Sequence, residues 1–212
     1  TLSLHDALPI LVRIVEESGR VLSPFHFLDV AKKGRYYSKI TKIVLENSFA
    51  ALYKISEAAI SINLSVHDIE RDEITHYIEN LLVQHEDEAH RIIFELLESE
   101  DIKDFARIKQ FIKKVKAKGV KIAIDDFGTG YSNFERLLSY EPDILKIDGS
   151  LIKNIHNNQI NQHIVETVML FAKKQNLSTV AEFVENETIY EIVRDMGIDY
   201  SQGFYFGKPE MF

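Results

Sequence analysis

Seven short apolar runs punctuate the chain: Leu11 to Val15, Ala59 to Leu64, Arg91 to Leu96, Val120 to Asp125, Ile144 to Ile147, Thr179 to Phe183 and Tyr200 to Phe206. They are rich in β-branched residues and too short to carry a helical face, so they predict strands. Between them the period changes. From Ile102 to Ala117 the apolar positions fall at 102, 105, 108, 111, 112 and 115, which is one face of a helix. Asn161 to Lys174 and Glu187 to Met196 repeat that spacing, and Gly119 and Gly197 stand where helices should stop. No linker or low-complexity tract interrupts the alternation, which predicts one domain.

Strands separated by helices must run parallel, and about eight such units close a (β/α)8 barrel of roughly 250 residues. The expected fold is therefore α/β, a TIM-like barrel one strand short at the N-terminus. A missing wall strand would expose an edge and the core, so either another segment closes the barrel or the chain is a fragment. The 212 residues, 45% hydrophobic and 27% charged, suffice for one core. The absence of cysteine excludes disulfides and thiolate-held zinc, leaving oxygen or nitrogen ligands for any metal, and fits a cytoplasmic protein. A net charge of −8 supplies no basic stripe, so no nucleic-acid polymer is expected as partner. No apolar run reaches the roughly 20 residues of a membrane span.

In parallel barrels chemistry collects where strands end. Here the runs end in Asn63, Glu95 and Glu98, Asp125 and Asp126, Lys146 and Asp148, Glu182 and Glu185, and Gln202. Singly, each has an ordinary reading: Asn63 as a cap for a helix near Asp68, Glu98 as a loop anchor, Asp148-Gly149 as a turn, Lys146 as an interior ion pair, and Gly128 and Gly130 as tight-loop residues. The lysines at 113, 114, 116 and 118 complement a helix end. Together, carboxylates converging in one cavity require cations to offset their charge. All-oxygen ligands point to Mg²⁺ or Mn²⁺, and adjacent aspartates suit a pair of metals that clamps a phosphodiester displacement. The same residues leave open a Schiff base on Lys146, or an enediolate stabilised by carboxylates and Mg²⁺.

The strings INLS, FELLES, IAIDDFGTGYSN, LKIDGSLI, TVAEFVEN and YSQGFYFGKP, in this order and spacing, resemble the EAL family of cyclic di-GMP phosphodiesterases from about Leu11 to Pro209. The resemblance implies a barrel in which two Mg²⁺ or Mn²⁺ ions serve the opening of cyclic di-GMP to linear pGpG. It implies Asn63, Glu95 and Asp125 around the first metal, with Asp125, Asp126 and Glu182 around the second. Lys146 would orient the attacking water and Glu182 would act as base. Arg13, Asp148, Glu185 and Gln202 would line the dinucleotide. Glu98 would hold the loop Phe127, Gly128, Thr129, Gly130, which the family links to dimer contacts. A homodimer, with sensor or diguanylate-cyclase-like domains attached, is the corresponding expectation.

Two departures stand out. Phe183 occupies a position where the family usually has Gly. Aligned through LVRI, the glutamate that names the family falls on Pro9, which has no carboxylate, and Asp6 lies an odd number of residues away, on the opposite strand face. The expected division is thus a segment 1–10 foreign to the family and a barrel domain 11–212, a truncated or joined N-terminus accounting for both the missing strand and Pro9. Activity is then expected in the parent protein and impaired in this chain. The alternative is an inactive receptor that binds cyclic di-GMP without cleaving it.

Overall fold

The structure is a computed structural model that describes residues 2–3, 7–34, 36–55, 58–97, 104–128 and 134–209. Its elements are β1 (Leu2–Ser3), β2 (Ala7–Pro9), β3 (Ile14–Val15), β4 (Val21–Leu22), α1 (Pro24–Lys33), α2 (Tyr37–Leu52), β5 (Ala59–Asn63), α3 (Val66–Ile69), α4 (Asp72–Gln84) and β6 (Ile92–Leu97). Then follow α5 (Phe105–Lys116), β7 (Lys121–Phe127), α6 (Phe134–Ser139), β8 (Ile144–Ile147), α7 (Gly149–Ile152), α8 (Gln159–Gln175), β9 (Ser178–Ala181), α9 (Glu187–Asp195) and β10 (Tyr200–Ser201). One sheet has the order β1-β10-β9-β8-β7-β6-β5-β2, every neighbouring pair parallel. Its two ends, β1 and β2, are only four residues apart in sequence, a reach of at most about 14 Å, so the sheet must curl on itself. The wall between β10 and β5 consists of these two short pieces, so the barrel is incomplete where the run count predicted. Among the described residues no helix is long and apolar enough to cross a membrane.

Period explains which face does what. Ile92, Phe94 and Leu96 of β6, Ile122 and Ile124 of β7, Leu145 and Ile147 of β8 and Ala181 of β9 point outward into a continuous core. Helix residues such as Phe49, Ile78, Ile112, Val168 and Val193 meet them there. The intervening residues point inward. Ile93 and Ala123 form a small apolar floor with Ala59 and Ile144, and above it the inward positions turn ionic. Helix starts follow their caps. Asp104, Asn158 and Asn186 accept backbone N–H bonds ahead of α5, α8 and α9, so α8 begins two residues before the predicted Asn161.

Two predicted strands are corrected. The run Leu11 to Val15 is not a barrel strand. Pairing with β5 occurs at Ala7–Pro9 and continues through the Ile10 N–H to the Ser61 carbonyl (3.0 Å). Ile14–Val15 instead forms a small hairpin with Val21–Leu22, with both of its side chains exposed. The run Tyr200 to Phe206 is strand only at its first two residues. Its later aromatics are apolar because Tyr205 and Phe206 pack on Tyr190 of α9, not because they extend the sheet.

Candidate metal centre

The inward ends of four adjacent strands meet in one ionic cluster. Lys146 Nζ lies 3.1 Å from Glu95 Oε2, 2.7 Å from Asp125 Oδ1 and 2.9 Å from Glu182 Oε1. An ammonium has three protons, so three carboxylates use its whole capacity. All four side chains are largely removed from water; Lys146 is 5% exposed and Glu95 also 5%. Burial works against the Lys146 charge, but Glu95, Glu182 and Asp125 outweigh it and hold the ammonium well above its usual range. The carboxylates share that single cation, and burial wins for them. Glu95 is pushed up, and Glu182 is pushed up to about 7.

Asp126 joins by a different route. In a regular strand it would face away from Asp125, but the pairing of β7 with β8 shifts register between Ile124 and Phe127, and Asp126 takes the left-handed conformation (φ 55°). A bulge of this kind re-aims one side chain, and aspartate tolerates the conformation better than most residues. As a result, oxygens of Asp125, Asp126 and Glu182 lie within 4.8 Å of one another, a spacing that can hold a cation. Burial, with Asp125 and Asp148 adding repulsion, pushes Asp126 up to about 6. Four carboxylates, Glu95, Asp125, Asp126 and Glu182, gather around one ammonium, an excess of negative charge that a divalent cation would offset, so the donor set fits a hard, oxygen-seeking metal.

Asn63 pairs in register with Glu95 at the end of β5 and is exposed. It is not the helix cap: Ser65 fills that role through a capping box with Asp68, and buried Asp68 also receives the Tyr37 and Thr41 hydroxyls of α2, fixing the loop behind Asn63. Asp148 caps α7 through the Ser150 N–H (2.8 Å) and also hydrogen-bonds Asp126. Gln202 follows β10 and is held by backbone bonds to Ala181 and Val184, while Glu185 is exposed after β9. The Arg13 guanidinium donates to the Val12 carbonyl. Phe127 ends β7 as a core residue, 1% exposed, and is not part of a loop. Gly128 has φ 103°, and a Cβ there would lie 2.6 Å from Leu151, so glycine is required. Glu98, Thr129, Gly130 and Asp6 lie outside the described residues.

Sequence reasoning missed Ser61, whose hydroxyl bonds Glu95. Its signal was a polar residue two positions before Asn63 in an otherwise apolar strand, hence on the same face. Pro9 pairs with Ser61 in parallel register. Its position therefore faces the cluster, and a longer acidic side chain there would point toward Glu95 and Asn63.

Two measurements follow from the charge count. Lys146→Met is expected to cost about 3–5 kcal/mol in urea unfolding of the metal-free chain at neutral pH, since it leaves three buried carboxylates without a cation; a loss under about 1 kcal/mol would contradict the cluster. The second concerns pH. Asp126, Glu182 and Glu95 bind protons more tightly folded than unfolded, so unfolding releases protons between about pH 4 and 7. Metal-free stability from these groups is thus fully present below the unfolded pKa and is lost as pH rises toward 7. Divalent-metal affinity should rise across the same window, with proton release measurable by calorimetry in buffers of different ionisation heat. A urea midpoint and an affinity both flat from about pH 5 to 7.5 would contradict this.

Comparison with known proteins gives the same fold and a family. The chain is 36% identical over 205 residues to "Cyclic di-GMP phosphodiesterase PdeF" of Escherichia coli (strain K12), covering 95% of this chain and 27% of that protein. It is 30% identical to "Cyclic di-GMP phosphodiesterase PdeB" of Shewanella oneidensis, covering 98% of this chain and 25% of that one. The chain thus spans about a quarter of the length of these relatives. Among solved structures, "PaMucR Phosphodiesterase, c-di-GMP complex" superposes with a TM-score of 0.87 at 29% identity, covering 96% of this chain and 85% of that one. A family model described as "EAL domain" matches residues 5–209, and with that match the chain belongs to the EAL domain family.

Proposed function

We propose that this domain hydrolyses cyclic di-GMP to linear pGpG with Mg²⁺ or Mn²⁺ held at the strand ends. The observation that carries the reading is the buried meeting of Glu95, Asp125, Asp126, Glu182 and Lys146 at one barrel mouth, in a chain of the EAL family. Asn63, Glu95 and Asp125 would hold one ion, and Asp125, Asp126 and Glu182 the other. The bound cations would offset charge on the attacking and leaving oxygens of the phosphodiester.

The chain's own residues do the rest. Glu182, whose Oε1 lies 2.9 Å from Lys146 Nζ, would accept a proton from the attacking water. Lys146 has all three protons committed to carboxylates in the metal-free arrangement, so one of those contacts must open before the ammonium can orient that water. Asp148, Glu185, Gln202 and Arg13 are assigned to the dinucleotide, Arg13 after turning away from Val12. Glu98 and the segment Phe127 to Gly130 are assigned to coupling between the site and a homodimer contact, with further domains in the whole protein.

A second reading is favoured by one observation, Pro9 at a cluster-facing position: a receptor that binds cyclic di-GMP without cleaving it. Incubating the chain with cyclic di-GMP and Mn²⁺ and separating the products decides between them. Linear pGpG from this chain or from its Pro9→Glu variant supports the enzyme, intact ligand retained by both supports the receptor, and neither product nor binding from either rejects both.

A further inference from the structure

Ser61 is a polar residue at an apolar level of the barrel. It pairs with Ile93 across β5 and β6, beside the floor that Ile93 and Ala123 form with Ala59 and Ile144, and it is 4% exposed. A hydroxyl buried there costs stability unless it is hydrogen-bonded, and an alanine would fill the place without that demand. Its bond goes to Glu95. Ser61 stands two residues before Asn63, and Glu95 two after Ile93, so the hydroxyl lies one step below both on the inward face.

Glu95 needs such a bond more than the aspartates do. Their side chains are short, and Asp126 is set by the β7 bulge and its hydrogen bond with Asp148. Glu95 reaches its oxygens through a further rotatable bond, so its carboxylate is free to swing unless something holds it. On β7 it faces Ala123, a methyl group that offers no hydrogen bond, and the Pro9 side chain opposite Ser61 offers none from β2. Its ion pair with Lys146 of β8 spans 3.1 Å, the longest of that lysine's three contacts. The ammonium draws the carboxylate toward β8, and Ser61 draws it back toward β5 and Asn63.

We propose that Ser61 is a positioning residue for the metal centre: its hydroxyl holds the Glu95 carboxylate beside Asn63, so that it adds to divalent-metal affinity through Glu95 alone. This rests on the reading of Glu95 as a metal ligand given under Proposed function. A ligand already held in place loses less freedom when the ion arrives, and partners that orient metal ligands are worth roughly tenfold to a hundredfold in affinity.

Calorimetric titration of the metal-free chain with Mn²⁺ reads the effect without turnover. Ser61→Ala should raise Kd about tenfold or more, and Ser61→Thr, which keeps the hydroxyl, should stay within about threefold of the parent. On a Glu95→Gln background, Ser61→Ala should leave Kd within about twofold, because the group it acts through is gone. A merely structural serine would weaken binding equally on both backgrounds. That result overturns the proposal, as does a threonine variant as weak as the alanine one, or equal Kd for the parent and Ser61→Ala; each leaves the metal reading intact. A parent chain that takes up no Mn²⁺ overturns both.

Discussion

Asp125→Asn is expected to abolish hydrolysis while leaving the fold intact. Asp125 is the carboxylate shared between the two proposed metal positions, and its Oδ1 lies 2.7 Å from Lys146 Nζ. Asparagine keeps the shape but offers one neutral oxygen, so both positions lose charge at once. A fall of about a thousandfold or more in kcat is expected, equivalent to about 4 kcal/mol of transition-state stabilisation. Stability should move the other way or not at all. The metal-free cluster holds more carboxylates than cations, and removing one relieves repulsion that now pushes Asp126 and Glu182 up. A urea midpoint unchanged or raised, together with lost turnover, is the combined signature. Turnover retained within about tenfold would show that Asp125 does not bridge the site.

Pro9→Glu is the second large effect, and it is a gain. Pro9 pairs with Ser61, whose hydroxyl bonds Glu95, so a glutamate at position 9 enters the same face of the barrel as Asn63 and Glu95. Proline is tolerated there because β2 lies at the end of the strand order, where a missing N–H is least costly. The substitution supplies another oxygen ligand. Metal affinity and activity should rise by about a hundredfold or more, the scale on which even supporting residues of a metal site act. Added charge in a carboxylate-rich cluster should also lower metal-free stability at neutral pH, a cost that Mn²⁺ reverses. An affinity for Mn²⁺ unchanged by the substitution would mean that position 9 does not reach the site.

How much of this was legible depended on period. The central strands were readable because both of their faces are apolar over most of their length: the predicted run Ile144 to Ile147 is β8, and Ala59 to Leu64 differs from β5 by one residue. The convergence of Glu95, Asp125, Lys146 and Glu182 was readable for the same reason, since inward positions alternate along each strand. Asp126 was not, because alternation alone sends it to the opposite face and only the bulge returns it. The first strand was hidden by its brevity; three residues ending in proline carry no periodic signal, while the neighbouring run at 11–15 is apolar yet largely exposed. Phe183 was visible as a substitution for glycine, but the conformation that explains glycine's fitness there, φ 54°, came only with the fold.

The central claim is that strand-end carboxylates hold divalent metal for phosphodiester cleavage. It is tested most directly by single-turnover conversion of cyclic di-GMP by the Pro9→Glu chain, with and without Mn²⁺. The account predicts linear pGpG only when Mn²⁺ is present. No pGpG under either condition, or pGpG formed equally well without divalent metal, would contradict it.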